Sequence, residues 1–548
     1  MIRELSINMG RHHSARLTSV IGALAVAALL IASAVATFGS QAVAYQIDPA
    51  HTGFQSDGPT PPLVQRWSRP LGNSDSTISY PLIAEGKVFV LVDNGIDFGT
   101  NLYALDAATG ATVWGPFQDK LHRFSFAGLA YDAGRVFVLN FDGFLRAFNA
   151  SSGALIWETF LAGEYPDHRV LWEFTSPPTA MGGTVYVAGA GFGAEVLAIS
   201  EQDGTLKWFT AVNGGQHSSP AVSASAVYVS FAGAASTALS PTTGQLLWQF
   251  RTASGGGGRT PVLFNNRLYV RDLVFRGHKV LDALTGTQIA AVDENAVGGD
   301  PPAPAFSDSM GYFADTANGL KARNPATLAT LWTFNGDSPI NTAPIVVNGY
   351  VYVASYNGTL YALNAQTGTS VWSTNLGASF LQPDENNAEM LTGFAAANGM
   401  LIVPAGNRLI AFQSAPPTGP MQLLLDTSAS LSDQVVALDS LSLLGAPFPV
   451  VNVANLLNLS TDRNTRVTLF VANLQLLQNE TSSSVVVNLI DSNNHSYDIS
   501  AEDVRLVPNV ALTQVIFRLP NNLAAGLCTV MVKAHGQTSN PGKMTIKL

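Results

Sequence analysis

Apolar and polar positions alternate in short blocks along most of this chain. In residues 351–372, Val351-Tyr352-Val353 is a run of branched and aromatic side chains, and Tyr356-Asn357-Gly358 follows as a turn. Residues 360–363 form a second apolar run, residues 364–368 a second turn, and Val371-Trp372 opens a third run. Short β-prone runs joined by tight polar turns predict an antiparallel sheet. The unit recurs with fixed spacing: Ala, one residue, Asp/Asn/Ser, two residues, Thr/Ser, Gly, three residues, Trp. It stands at Asp106/Gly110/Trp114, Asn149/Gly153/Trp157, Ser240/Gly244/Trp248 and Asn364/Gly368/Trp372. Altered copies end at Trp208 and at Trp332, the latter with Leu328 for Gly, and a further copy has Ala290 for Trp. Successive Trp positions lie 40 to 51 residues apart. That period fits one four-stranded propeller blade per repeat.

Each blade is expected to open after a Pro turn, at Pro81, Pro178, Pro220, Pro261, Pro304 and Pro344. The last set of inner strands, residues 394–412, runs into a Pro-rich stretch without its own Trp strand. The strand around Trp67 is therefore expected to complete it, closing an eight-bladed β-propeller with an N-terminal latch strand and leaving no open sheet edge. Seven blades is the alternative if the Trp-less repeat is collapsed. The motif residues read as structural. Asp, Asn or Ser can accept from backbone amides two and three residues on, Gly can take positive φ, and Trp can cover the next blade.

After Pro420 the period is lost. Short β runs at 421–425, 435–438, 450–453, 467–471, 485–490, 515–519, 529–532 and 544–548 predict a separate β-sandwich of about seven strands. The expected division is 1–44 signal peptide, 45–415 propeller, 416–420 linker and 421–548 sandwich. The signal reading rests on Arg3, Arg11 and Arg16, the apolar run 17–38 and the small-x-small site Ala42-Val43-Ala44. A retained membrane anchor is the alternative reading of residues 20–38.

The formal charge of -10 argues against nucleic acid as a partner. A single Cys, Cys528, permits no intrachain disulfide and reads as a small core residue. The histidines lack zinc spacing, and no phosphate-binding glycine loop or nucleophile elbow occurs. Two insertions are candidate binding loops: 160–174, with Asp167, His168, Arg169 and Trp172, and 376–391, with Asp384, Glu385 and Glu389. Arg259 and Arg323 are candidates for the channel.

The segments LYALDAATGATVW (102–114), AFNASSGALIW (147–157) and LYALNAQTGTSVW (360–372) resemble the PQQ-like, or quinoprotein alcohol dehydrogenase-like, β-propeller repeat family over about 63–412. Its members include quinoprotein alcohol dehydrogenases and the outer-membrane lipoprotein that assists β-barrel assembly. The resemblance implies the fold. For quinone-using members it also implies a vicinal Cys-Cys disulfide and a Glu/Asn/Asp calcium set with an Asp base. This chain lacks the cysteine pair, and Asp384, Glu385 and Glu389 do not have a recognisable calcium spacing. The lipoprotein pattern implies a Cys at the cleavage site, where Tyr45 stands. GQTSNPGKMTIKL (536–548) resembles Ig-like domains that end secreted bacterial proteins.

These features lead to an all-β exported protein, secreted, periplasmic or at the cell surface of a bacterium. It is expected to be a non-enzymatic binding or scaffolding module with a protein or envelope component as partner. Neither cofactor nor metal is expected, and no transmembrane segment after cleavage; the oligomeric state is open. The alternatives are a PQQ- and calcium-dependent oxidoreductase and a structural envelope or surface protein.

Overall fold

The computed structural model describes residues 40–94, 99–119, 127–141, 143–161, 174–189, 195–212, 218–252, 258–271, 277–292, 301–315, 319–380, 383, 385, 390–416, 419–426, 433–453, 461–476, 480–507 and 512–547. The expected leader, residues 1–39, lies outside them. The chain divides into two compact units between Ser414 and Ala415.

Among the described residues the first unit contains eight sheets, antiparallel apart from one short parallel pairing. The first is built from Leu82–Ala84, Lys87–Asp93, Thr100–Asp106 and Thr112–Asp119 in chain order. The next six repeat this pattern. Six of the eight first strands start directly after a turn proline, as Thr179–Met181 does after Pro178 and Ile345–Val347 after Pro344. A proline at that position costs no ladder hydrogen bond. Second strands are buried on both faces: Val88 to Val92 are at most 1% exposed. Neighbouring sheets cover them from both sides, so these strands are continuously apolar. Fourth strands such as Leu155–Phe160 alternate between exposed and half-buried positions.

The eighth sheet joins the two ends of the unit. Ala395–Ala397, Met400–Ala405 and Arg408–Ser414 supply three strands, and Leu63–Pro70 pairs antiparallel with Arg408–Ser414 as the fourth. First strands adjoin from sheet to sheet, and Ala395–Ala397 lies against Leu82–Ala84 of the first sheet. One buried cluster accordingly combines Val88 and Leu105 with Leu401 and Ile410.

The second unit has two sheets over one core. Arg466–Ala472 and Leu512–Arg518 are central to the first; Gly526–Ala534, Val486–Ile490 and Gly542–Lys547 form most of the second. Val467, Leu469, Phe517, Val487, Val530 and the buried Cys528 fill the space between. Four described strands, Phe448–Pro449, Ser496–Ser500, Asp503–Leu506 and Gln537–Thr538, lie outside the expected runs. Ser496–Ser500, Ser-Tyr-Asp-Ile-Ser, has every second residue exposed and little apolar signal. The 450–453 run is not a strand; the chain pairs just before it, at Phe448–Pro449.

Candidate functional site

The repeat motif builds the seams between sheets. In its turn, Asp106 Oδ1 accepts from the Thr109 amide at 2.8 Å. Asn149 Oδ1 accepts from Ser151 and Ser152 at 3.0 and 2.9 Å, and Asn364 Oδ1 from Gln366 and Thr367 at 3.0 Å each. Gly110, Gly153, Gly244 and Gly368 follow at φ between 70° and 73°. The Trp of the preceding sheet lies flat on that glycine: a Cβ on Gly153 would sit 2.6 Å from Trp114. Each indole N–H then donates to the carbonyl just after the motif Asp, Asn or Ser. Trp67 reaches Ala107 O, Trp114 Ala150 O, Trp157 Glu201 O, Trp208 Pro241 O, Trp248 Ala283 O and Trp332 Ala365 O, all at 2.8–3.0 Å. Trp372 instead packs on Phe412, 5.7 Å between ring centroids, where the eighth sheet has no third-to-fourth-strand turn.

The two anomalous copies of the motif meet at one seam. Ala290 replaces Trp in the fifth sheet, and Leu328 replaces the glycine in the sixth; both pack against the same buried cluster. Leu328 keeps the left-handed backbone, φ 60°, which costs an L-residue about 1 kcal/mol or more.

A strap of chain, residues 41–58, follows the first strands. Ala42 bridges Ile83 in the first sheet, and Val43 O accepts from Tyr131 N in the second. Pro49, Ala50, Thr52 and Gly53 carbonyls accept from Val222, Leu263, Phe306 and Val346, in the fourth to seventh sheets. Phe54–Gln55 pairs parallel with Ile345–Val347. Asp48 shapes this path by accepting from the amides of Ala50 and Thr52 at 2.9 and 3.1 Å. His51 is fully buried between Tyr45 O at 2.8 Å and Pro220 O at 3.0 Å. Burial holds its pKa below the usual histidine value, against the pull of these carbonyls.

Residues of the first, second, fifth and sixth sheets meet in one cluster with Tyr45, Tyr80, Met390 and Leu391. Beside it Glu385 forms an ion pair with Arg271, both side chains 2% exposed. Glu385 Oε2 also accepts from Thr260 N at 2.6 Å, and Arg271 donates to Pro301 O and Thr260 O at 3.1 Å each. The Tyr45 hydroxyl is buried without a hydrogen-bond partner among the described residues. Burial and the Glu385 charge both raise its pKa.

Of the candidate loop residues, Glu385 is therefore a buried structural anion. Asp384, Glu389, Asp167, His168, Arg169 and Trp172 lie outside the described residues. Arg259 is buried beside the strand that starts the fifth sheet, whereas Arg323 donates to Leu328 O at 2.9 Å in the sixth sheet's turn, away from the strap. Sequence reasoning passed over Arg271 and the strap.

The cut expected before Tyr45 would remove Ala42 and Ala44, which are 0% and 3% exposed, and orphan the amides of Ile83 and Tyr131. Chains beginning at Tyr45 should be less stable than chains beginning at Gln41 by about 1–3 kcal/mol, read by urea unfolding.

Glu201, at the seam of the second and third sheets, has its pKa raised to about 7, first by burial and then by the nearby Asp132 charge. A raised carboxyl means the folded state holds the proton more tightly. Its stabilising share is complete below the ordinary glutamate value and is lost as pH rises through about 7. Glu201→Gln should gain about 1–2 kcal/mol over the parent at pH ~8 and nothing at pH ~4, by denaturant midpoints at the two pH values.

The model of one protein family, outer membrane protein assembly factor BamB, matches residues 64–165, 164–270 and 276–416. The chain belongs to that family. Its BamB relatives include the outer membrane protein assembly factor BamB of Moranella endobia, 26% identical over 50% of this chain and 61% of that protein. The Salmonella typhimurium protein of the same name is 28% identical over 49% and 62%. The chain thus spans about six-tenths of the length of these relatives. Among solved structures, the quinohemoprotein alcohol dehydrogenase of Comamonas testosteroni matches 72% of this chain and 84% of its own, with TM-score 0.53 at 15% identity. That likeness is one of fold, and the first unit is a β-propeller of the PQQ-like type.

Proposed function

We propose that this chain is an exported scaffolding protein of the bacterial envelope that binds protein components of an outer-membrane assembly machinery. In this reading its first unit is an eight-bladed ring latched by Leu63–Pro70, its second an Ig-like sandwich, and its leader is cleaved. The observation that carries it is that the chain's own strap and the Arg271–Glu385 pair occupy the region where first strands of several sheets converge. Pyrroloquinoline quinone is a planar tricarboxylate and needs uncommitted cations and an open floor. Arg271 is neutralised by Glu385, so these residues do not fit that cofactor. The names of the BamB relatives and the match of their family model support the assembly role. The outer strands offer contact surface: Leu155, Leu246, Leu247, Ile289, Leu331 and Val371 are each 46–56% exposed. Scattered apolar positions on rigid strands suit protein contacts.

The test is co-purification of the tagged full chain with the outer-membrane β-barrel assembly complex of the same cells, beside titration with pyrroloquinoline quinone and calcium. Recovery of the complex without spectral change on titration is expected. Stoichiometric quinone binding with dye reduction by an alcohol would establish the oxidoreductase reading instead.

A further inference from the structure

Between the fifth sheet, which carries Ala290 for Trp, and the sixth sheet, a cleft of about 520 Å³ opens. Its walls are Phe264 and Arg267 from the hairpin joining the fifth sheet's first two strands, Tyr269 behind them, Asp308 from the matching hairpin of the sixth sheet, and the turn at Asn324 and Pro325. At five of the six seams with an indole clamp, tryptophan lies against this same combination: a second-strand aromatic of its own sheet and the motif turn of the next. Thus Tyr228 and Trp248 lie 5.9 Å apart and Tyr312 and Trp332 5.8 Å apart, and each pair shares one turn carbonyl, Ala283 O or Ala365 O.

The equivalent carbonyl at the fifth seam is Pro325 O. Without an indole it accepts from Arg267 Nη1 and, at 3.4 Å, from the Tyr269 hydroxyl. Tyr269 packs inward on Phe306, 4.4 Å between centroids, and Phe264 stacks on Phe306 at 4.8 Å and 14°. The seam is thereby closed from within by aromatic rings, and the space towards the turns stays open. Its lining combines an aromatic face, the flat guanidinium of Arg267 and the exposed carboxylate of Asp308, whereas Asn324 Oδ1 is taken by the amides of Ala326 and Thr327.

We propose that this cleft binds a planar aromatic side chain carrying a hydrogen-bond donor, an indole above all, presented by a partner protein. The incoming ring takes up the kind of contact that tryptophan supplies within the chain at other seams. Phe264 and the Arg267 guanidinium offer stacking surfaces, and the Asp308 carboxylate accepts the ring N–H. The volume lies in the range of small-ligand pockets and exceeds what one indole needs, so flanking peptide also fits. The proposal rests on the protein-binding reading above and names the chemistry of one contact within it.

The probe is N-acetyl-tryptophanamide, titrated into the full chain and followed by saturation-transfer difference NMR, with N-acetyl-leucinamide as comparison. Saturable binding of the tryptophan compound, at least about tenfold tighter than the leucine compound, is expected. Ser309 and Asp308 are both exposed, so their substitution leaves the core intact. Ser309→Trp, which fills the cleft from its rim, should weaken the probe about tenfold or more, and Asp308→Ala should weaken it less. Equal binding of the two amides, absence of saturation, or indifference to Ser309→Trp overturns the proposal. Co-purification of the wild-type chain with the assembly complex, scored separately, tells failure of the cleft from failure of the scaffold reading.

Discussion

Glu385→Ala is expected to destabilise the propeller unit by about 3–5 kcal/mol, the largest single-residue effect anticipated outside the seams. The substitution leaves the Arg271 guanidinium, 2% exposed, without its counter-charge and removes the acceptor for Thr260 N. Water cannot reach either group to compensate. The coupling is better read from the pair: Glu385→Leu with Arg271→Met removes both charges and should recover most of the loss, because two buried ions cost nearly as much to desolvate as their attraction returns. Urea midpoints of the parent, the single and the double variant decide it. If the double variant is as weak as the single, loss of packing and not the stranded charge explains the effect.

Trp248→Ala should cost about 3–5 kcal/mol as well. The ring is 9% exposed, its N–H donates to Ala283 O at 2.8 Å, and its face lies where a Cβ on Gly286 would approach within 2.4 Å. Truncation opens a cavity that a left-handed glycine turn has no side chain to fill. The seam of Ala290 and Leu328 supplies the converse experiment. Ala290→Trp alone should destabilise by about 1–3 kcal/mol through overpacking against Leu328. Adding Leu328→Gly should relieve both the overlap and the left-handed strain, bringing stability back to the parent value or above it. Chemical denaturation of the four chains distinguishes paired replacement at this seam from two unrelated changes.

The sequence carried the propeller type plainly because its signals are local. A turn such as residues 364–368 needs a short acceptor side chain and a residue at positive φ within five positions, and both leave their mark on composition. The indole clamp extends this over one repeat, so its spacing also is written along the chain. The strap has no such mark. Its carbonyls accept from the amides of Val222, Leu263, Phe306 and Val346, and backbone groups are the same in every residue. Its path also runs through Gln46, Ile47 and His51 at positive φ, which no preference of those residues would suggest. Glu385 was visible only as an acid in an insertion, because Arg271, its counter-ion, is far away in sequence. The pairing of Ala290 with Leu328 was present as two separate irregularities whose connection required knowing which sheet follows which.

The sheet formed by Leu63–Pro70 and Arg408–Ser414 also governs the order of events during biosynthesis. Pairing between strands so distant along the chain carries a large loop-closure cost and slows folding. During vectorial synthesis, strand Leu63–Pro70 emerges early and must wait for nearly the whole unit before its partner appears. Until then the growing stack has open β edges at both ends, which attract other chains. Holding chaperones are therefore needed most before residue 414 has emerged, and a nascent chain stalled short of that point should be far more prone to aggregation and proteolysis than one stalled just beyond it.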